Sequence, residues 1–328
     1  MALPTISGEQ IEDIFVTTFN TKLPEIWDNV YNSNPVLGIL NAKSQIKLEG
    51  GKRIESPLIY GKLPGGSYNM DDTFSVQRTN TKTEFIVDWK LQYVDITIDG
   101  LDELKNAGAA AAFSYAQTKM DEAEMTLKDN LGTELFGSGL DNGGKALDGL
   151  NAWVDDGTNY ATIGGITRDS SAVGTAAKAV YNATGGAWTY ALAQAAYGGA
   201  TIEGRKPDLI ATTQTLWDRM AVVIQPLQRY NINPSANAKI LGNIGFDTLK
   251  FGGGGADIVV DSHVQSGYAY YLHTPAVKMI VHNQRPGTKI RGWMPIVNQD
   301  RRTTQILWAG NVVVPSPRLQ AKQVGLTA

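Results

Sequence analysis

Between Ile46 and Ile98 the chain alternates polar and apolar residues as a strand pair does. Through only Asp99-Gly100 it then passes into an almost unbroken helical pattern from Leu101 to Phe136. The descending arm of the pair reads TEFIVDWKLQYVDITI. Phe85, Val87, Trp89, Leu91 and Tyr93 fall on one side of it, and Asp88, Lys90 and Gln92 on the other, which is the period of a half-buried strand. At Tyr93-Val94 the phase flips, because Val94, Ile96 and Ile98 become the apolar set, as an inserted bulge would produce. The tip of the ribbon is placed in GKLPGGSYNMDD, where Pro64, Gly65, Gly66 and Asn69 are turn formers.

The helical stretch is long and polar. Ala112, Ala116, Met120, Ala123, Leu127 and Leu131 step by three or four and make one narrow apolar stripe, while Lys119, Asp121, Glu122, Glu124, Lys128 and Asp129 crowd the other faces. About thirty-six residues at about 1.5 Å each would span roughly 54 Å. Gly108 is the expected point of division, Glu124 and Lys128 are ordered for an i,i+4 pair, and Gly137-Ser138-Gly139 supplies a left-handed cap. So thin a stripe on so long a helix suggests packing against neighbouring copies.

Ser7 to Trp27 opens as a weak helix, with Ser7 as N-cap, Gln10 at the capping-box position and interruptions at Pro24 and Pro35. From Gly139 to Thr274 the composition shifts to Gly, Ala, Thr and Asn. TYALAQAAYGGA reads as a small helix, and Leu209-Ile210-Ala211 as a strand. Thr213 caps a helix carrying Leu216, Trp217, Met220 and Val223, which Pro226 bends or ends near Arg229-Tyr230. Strand, helix and strand with compact turns describe an α+β class.

Composition excludes more than it identifies. The formal net charge of −3 argues against a dedicated nucleic-acid binder. The charge is uneven: Gln284 to Lys322 carries seven bases against one acid, whereas Leu101 to Phe136 carries seven acids and three bases. These segments are either solvated faces or pairs made across copies. There is no cysteine, so disulfides and thiolate metal sites are absent. No Lys/Arg-led apolar run opens the chain and no stretch of about eighteen apolar residues occurs, so neither a signal peptide nor a membrane span is expected. Gly252 to Gly255 lacks a following Gly-Lys-Ser/Thr and reads as a tight turn or bulge. His263, His273 and His282 have no zinc-site spacing, and Asp71-Asp72 and Asp155-Asp156 read as loop acids. No nucleophile elbow is present. No catalytic residue, metal ligand or cofactor is assigned.

The ribbon followed by the long helix resembles the E-loop and spine helix of tailed-bacteriophage major capsid proteins of the HK97-like fold. KMDEAEMTLKDNLGTELFGSG and GLNAWVDDGTNYATIGGITRDS look like the passage from spine helix to axial domain in that family. KPDLIATTQTLWDRM and TLKFGGGGADIVVDSHV resemble its axial strand, helix and returning strand, and YAYYLHTPAVKMIVH and WAGNVVVPSPRLQAKQVGL its closing strands. The resemblance runs in family order from about Ile46 onward. It implies an N-terminal arm over residues 1–45, an E-loop hairpin with peripheral strands over 46–99 and a spine helix over 100–138. An axial domain over 139–275 and returning strands over 276–328 complete the chain.

That resemblance implies a virion subunit, assembled in the cytoplasm of a bacterial host, which forms hexamers and pentamers of an icosahedral shell around double-stranded DNA without sequence-specific binding. A portal protein, a decoration protein and a separate scaffolding protein are the implied partners, the last because no long charged helical leader precedes the arm, with a leader already removed as the alternative. The ribbon, marginal alone, is expected to be mobile in the free subunit and ordered over a neighbour. Contact candidates are Arg53, Lys62, Tyr68 and Arg78 on or beside the ribbon, Glu122 on the helix, Tyr230 in an axial loop, and Arg301 and Arg302 in the returning strands. Some relatives join an E-loop Lys to a neighbour's Asn. Lys52, Lys62, Lys82, Asn298 and Asn311 are the residues of those types here, with ordinary surface lysines as the simpler reading. An encapsulin-like compartment and a small oligomeric binding protein are the alternatives.

Overall fold

The computed structural model describes residues 34–74, 78–105, 109–183, 185–224, 249–251, 256–290 and 294–328. In chain order the elements that carry the architecture begin with α1 (Pro35–Ser44), β1 (Gln45–Leu48), β2 (Ile54–Ile59), β3 (Lys82–Val87), β4 (Lys90–Asp99), α2 (Gly100–Lys105) and α3 (Ala109–Leu135). They continue with β5 (Val180–Asn182), α4 (Tyr190–Gly199), β6 (Leu209–Thr212), α5 (Gln214–Ile224), β7 (Leu249–Phe251), β8 (Ala256–Val260) and β9 (Ala269–Leu272). The last are β10 (Lys278–Ile290), β11 (Met294–Pro295), β12 (Arg301–Val313) and β13 (Ala321–Gln323). The arm helix expected at Ser7 to Trp27, the break at Gly108, the stop at Pro226 and the turn at Gly252 to Gly255 all lie outside the described residues.

Two compact units result. Among the described residues, one gathers 34–52, Asp88–Gly149 and Met279–Val312, and the other Arg53–Val87, Leu150–Lys278 and Val313–Ala328. In the first unit the sheet runs β1, β10, β12, β11, with β4 also on β12. β1 lies parallel to β10, while β4 runs antiparallel to β12 from Lys90 opposite Gly310 to Asp99 opposite Arg301. Helix α3 packs its stripe inward, with Met120, Ala123, Leu127, Leu131 and Leu135 all buried. Lys128 and Glu124 form the expected i,i+4 pair at 2.6 Å, and Gly139 takes the left-handed conformation (φ +78°) after the helix end. Helix α1 begins at Asn34, whose side chain accepts a hydrogen bond from the Leu37 amide, and buries Val36, Leu37 and Leu40.

The expected bulge at Tyr93-Val94 is not there. β4 pairs with β12 residue for residue across its length, and the phase change occurs earlier, at Asp88-Trp89, where the chain leaves β2 and joins β12. Phe85 and Val87 are buried on the first sheet and Val94, Ile96 and Ile98 on the second, while Leu91 and Tyr93 are 59% and 64% exposed. Alternation reports which residues share a side. It does not report which side is covered, because that depends on the partner sheet.

In the second unit the strand order is β7, β8, β6, β9, β13, β5, with β6 parallel to β8 and antiparallel to β9. α4, capped by the Thr189 hydroxyl, and α5 pack on it through Ala193, Ala196, Leu216 and Met220 against Ile210, Tyr271 and Ala321. The Trp188 indole and the Tyr271 hydroxyl both donate to the Gln323 side-chain oxygen, at 3.1 and 2.7 Å, so these buried polar tips are satisfied within the core.

Gly310 is required by close approach. A Cβ there would lie 2.4 Å from the Ile280 carbonyl oxygen and 2.7 Å from the Trp308 ring. Gly310→Ala is expected to lower stability by about 1–3 kcal/mol through overpacking. A reduced urea midpoint checks this, and an unchanged midpoint would show that β12 can move aside.

Candidate assembly surfaces

The hairpin base is built for burial on one face. β2 and β3 pair from Ile54 opposite Val87 to Ile59 opposite Lys82, and Ile54, Leu58, Phe85 and Val87 are buried. Phe85 meets Trp153 edge-to-face at 5.2 Å, and the Ile86 amide donates to the Gly164 carbonyl. The ladder ends where the Tyr60 amide donates to Thr81. Beyond it the loop carries Leu63, Tyr68, Met70 and Phe74 to solvent, Met70 at 98% exposure. Its tip is a turn at Asn69–Asp72: the Asp72 amide donates to the Asn69 carbonyl, and the Asn69 amide to the Asp72 carboxylate at 2.6 Å. Of the turn formers named from sequence, Asn69 closes this turn, while Pro64, Gly65 and Gly66 precede it.

Arg53, Lys62, Tyr68 and Arg78 all lie exposed on or beside this hairpin. Glu122 lies on the outer side of α3, 2.7 Å from Lys119, and Arg301 makes a 2.6 Å ion pair with Asp99 across β12 and β4. Arg302 stands half-buried opposite Ile98. Tyr230 lies outside the described residues. The structure therefore collects four candidates on one hairpin in the second unit, and Glu122, Arg301 and Arg302 around β4 in the first.

Two buried polar centres escaped the sequence reading. Asp155, expected as a loop acid, is fully buried. Its carboxylate accepts the amides of Gly157, Asn159 and Tyr160 and the Asn159 side chain, all within 2.9–3.1 Å. Lys322, counted among the basic returning segment, is buried too. Its ammonium donates at 2.9 Å to the Asn151 carbonyl and side-chain oxygen, lies 3.4 Å from Asp155, and sits over the rings of Tyr160 and Tyr181. Arg168 completes the centre by donating to the carbonyls of Ala152, Trp153, Tyr160 and Ala177.

Burial pushes the Asp155 carboxyl up, but hydrogen bonds from Asn159 and Tyr160 and the Lys322 charge outweigh it, leaving it below the ordinary range. Burial also lowers Lys322 to about 8, against the pull of Asp155, and Arg168 to about 10. By fixing the backbone at Ala152 and Trp153, the centre holds the ring on which the hairpin base rests.

Asn311 forms the other centre. It is fully buried, donates to the Asp88 carbonyl and to Asp148, both at 2.8 Å, and accepts the Asp148 and Val312 amides. Burial raises the Asp148 carboxyl, opposed by Asn311 and by Lys90 at 3.8 Å. With all its polar atoms engaged, Asn311 is closed to a neighbour's lysine, while Asn298 is exposed in a turn (φ 63°). Among the described residues no group of three His, Asp or Glu could hold a metal ion, and no helix is long and apolar enough to cross a membrane.

No family sequence model and no curated protein matches the chain. Solved structures do. The capsid subunit of cyanophage A-1(L) superposes with a TM-score of 0.67 at 14% identity, covering 90% of this chain and 93% of that one. The chain has the HK97-like capsid fold. A subunit from the capsid of a native GTA particle aligns at TM-score 0.58 and 10% identity over 87% of this chain and 88% of that one. The SrpI encapsulin of Synechococcus elongatus PCC 7942 aligns at 0.54 and 10% over 88% and 87%. The helical pattern read from Leu101 to Phe136 falls on α2 and α3, and the strand pair read from Ile46 to Ile98 is divided between the β2–β3 hairpin and the strands β1 and β4 of another sheet. These neighbours are structural shell proteins.

Asp155→Ala removes one partner of a buried pair and is expected to cost about 3–5 kcal/mol. The pH response has a definite sign. The folded value of Lys322, about 8, lies below its unfolded 10.5, so the unfolded chain binds more protons between these values. Its contribution to stability therefore rises with pH in that window. Urea titrations at pH 8 and 10 should show Lys322→Met losing part of the wild-type rise, and parallel curves would contradict the assignment.

Proposed function

We propose that this chain is the major capsid protein of a tailed bacteriophage, self-assembling through hexamers and pentamers into an icosahedral shell that encloses double-stranded DNA. The observation that carries the reading is the match to the cyanophage A-1(L) capsid along nearly the whole of both chains, at TM-score 0.67 against 0.54 for the encapsulin. The exposed apolar hairpin loop supports it independently. Leu63, Tyr68, Met70 and Phe74 need cover that a neighbouring copy would supply.

In this reading the unit containing α3 is the peripheral domain and the six-stranded unit the axial domain. The arm and hairpin bridge subunits, with Arg53, Lys62, Tyr68, Arg78, Glu122, Tyr230, Arg301 and Arg302 as contact residues. Each contact is weak alone and strong in repetition. A portal protein, a separate scaffolding protein and a decoration protein are the proposed partners. The packaged DNA is confined by the wall, in keeping with the net charge of −3. The subunit belongs to the virion and assembles in the cytoplasm of a bacterial host.

The chain, expressed with a scaffolding protein encoded beside it, is expected to give shells or capsomer rings in negative-stain electron microscopy. A discrete small oligomer under the same conditions would contradict the reading.

A further inference from the structure

The chain contains a single Asn-Gly pair, Asn142-Gly143, and the structure sets it in the turn that follows α3. Both residues are exposed and left-handed, at φ 53° and 67°. The turn is closed by the Gly144 amide on the Leu140 carbonyl at 3.1 Å and by the Lys145 and Ala146 amides on the Asp141 carbonyl. None of these bonds uses the Gly143 amide. A Cβ at Gly143 or at Gly144 would meet nothing within 4 Å, so the peptide joining Asn142 to Gly143 has room to swing. Gly143 has no side chain to crowd its own nitrogen. Other asparagines lack this combination: Asn151, Asn159 and Asn311 commit their side-chain amides to Tyr160, to Asp155, and to Asp88 and Asp148. Asn298 is equally exposed and left-handed, at φ 63°, but Gln299 follows it.

We propose that Asn142-Gly143 is a self-modification site, at which the side-chain amide closes on the backbone and opens to aspartate and isoaspartate. Base takes the proton of the Gly143 amide, and that nitrogen attacks Cγ of Asn142. The N–Cγ bond forms, the Cγ–Nδ2 bond breaks, and ammonia leaves behind a five-membered succinimide. Water then opens the ring without any change of oxidation state. Addition at Cγ gives aspartate; addition at the main-chain carbonyl carbon gives isoaspartate, whose backbone is longer by one carbon. The chemistry needs only water and base, and stands whether or not the chain builds a shell. Its consequence is local. Lys90 donates to the Gly144 carbonyl and lies 3.8 Å from Asp148, which accepts from Asn311. A longer backbone and a new carboxylate two residues from that carbonyl draw Lys90 away from its place beside Asp148.

The full chain, incubated in mildly alkaline buffer and read by peptide mass spectrometry, tests this. Conversion at Asn142 should yield both aspartate and isoaspartate, quicken as pH rises, and run on the order of tenfold faster than at Asn298, whose follower carries a Cβ. Asn142→Gly keeps the left-handed backbone and should lose the reaction, and Gly143→Ala should slow it. Aged wild type should unfold at a lower urea midpoint than fresh protein, while aged Asn142→Gly should not. Equal rates at Asn142 and Asn298, or aspartate with no isoaspartate, would overturn the proposed ring closure. Conversion with an unchanged midpoint would overturn its coupling to Lys90.

Discussion

One short crossing at Asp88-Trp89 sets the rest of the structure. On its N-terminal side β3 hydrogen-bonds to β2, and on its C-terminal side β4 hydrogen-bonds to β12. The crossing is pinned by long-range contacts: Asn311 donates to the Asp88 carbonyl, the Trp89 indole donates to Gly51 at 2.9 Å, and its ring meets His282 edge-on at 5.2 Å. Two residues therefore separate a strand whose buried face is set by the hairpin from one whose buried face is set by the β12 sheet. That separation leaves the hairpin loop without a core of its own.

Much of this was legible in the sequence where the signal is local. The α3 stripe, the Glu124–Lys128 pair, the small helix read at TYALAQAAYGGA and the turn closed by Asn69 all follow from spacing and residue type within a few positions. Leu91 and Tyr93 misled because their alternation with Lys90 and Gln92 is genuine while their side is uncovered. Asp155 and Lys322 could not be matched, since they are separated by 167 positions and each looks like a surface charge. A pair of opposite charges that distant carries no spacing signal, and only the fold brings them together. Asn311 shows the same limit, being a plausible surface amide in sequence and a fully engaged buried one in the structure.

In the proposed capsid reading the subunit is completed by its copies. Burying Leu63, Met70 and Phe74 against a neighbour would contribute about 5–9 kcal/mol, which is comparable to the roughly 4–15 kcal/mol cost of associating two bodies. One such contact is therefore marginal, and a lattice in which each subunit gives one and receives one is not. The buried Asp155–Lys322–Arg168 centre serves the same end from within, because it holds the backbone around Trp153, on which Phe85 and the hairpin base pack. The loop can then be unsupported along its length while its root stays fixed.

Hydrogen exchange on the free subunit and on the assembled shell tests this account most directly. It predicts that amides from Gly61 to Asp72 exchange freely in the subunit and become protected in the shell, while those of Ile54 to Ile59 and Phe85 to Val87 are protected in both. Equal protection of Gly61 to Asp72 in the two states would contradict the claim that this loop is ordered by a neighbouring copy.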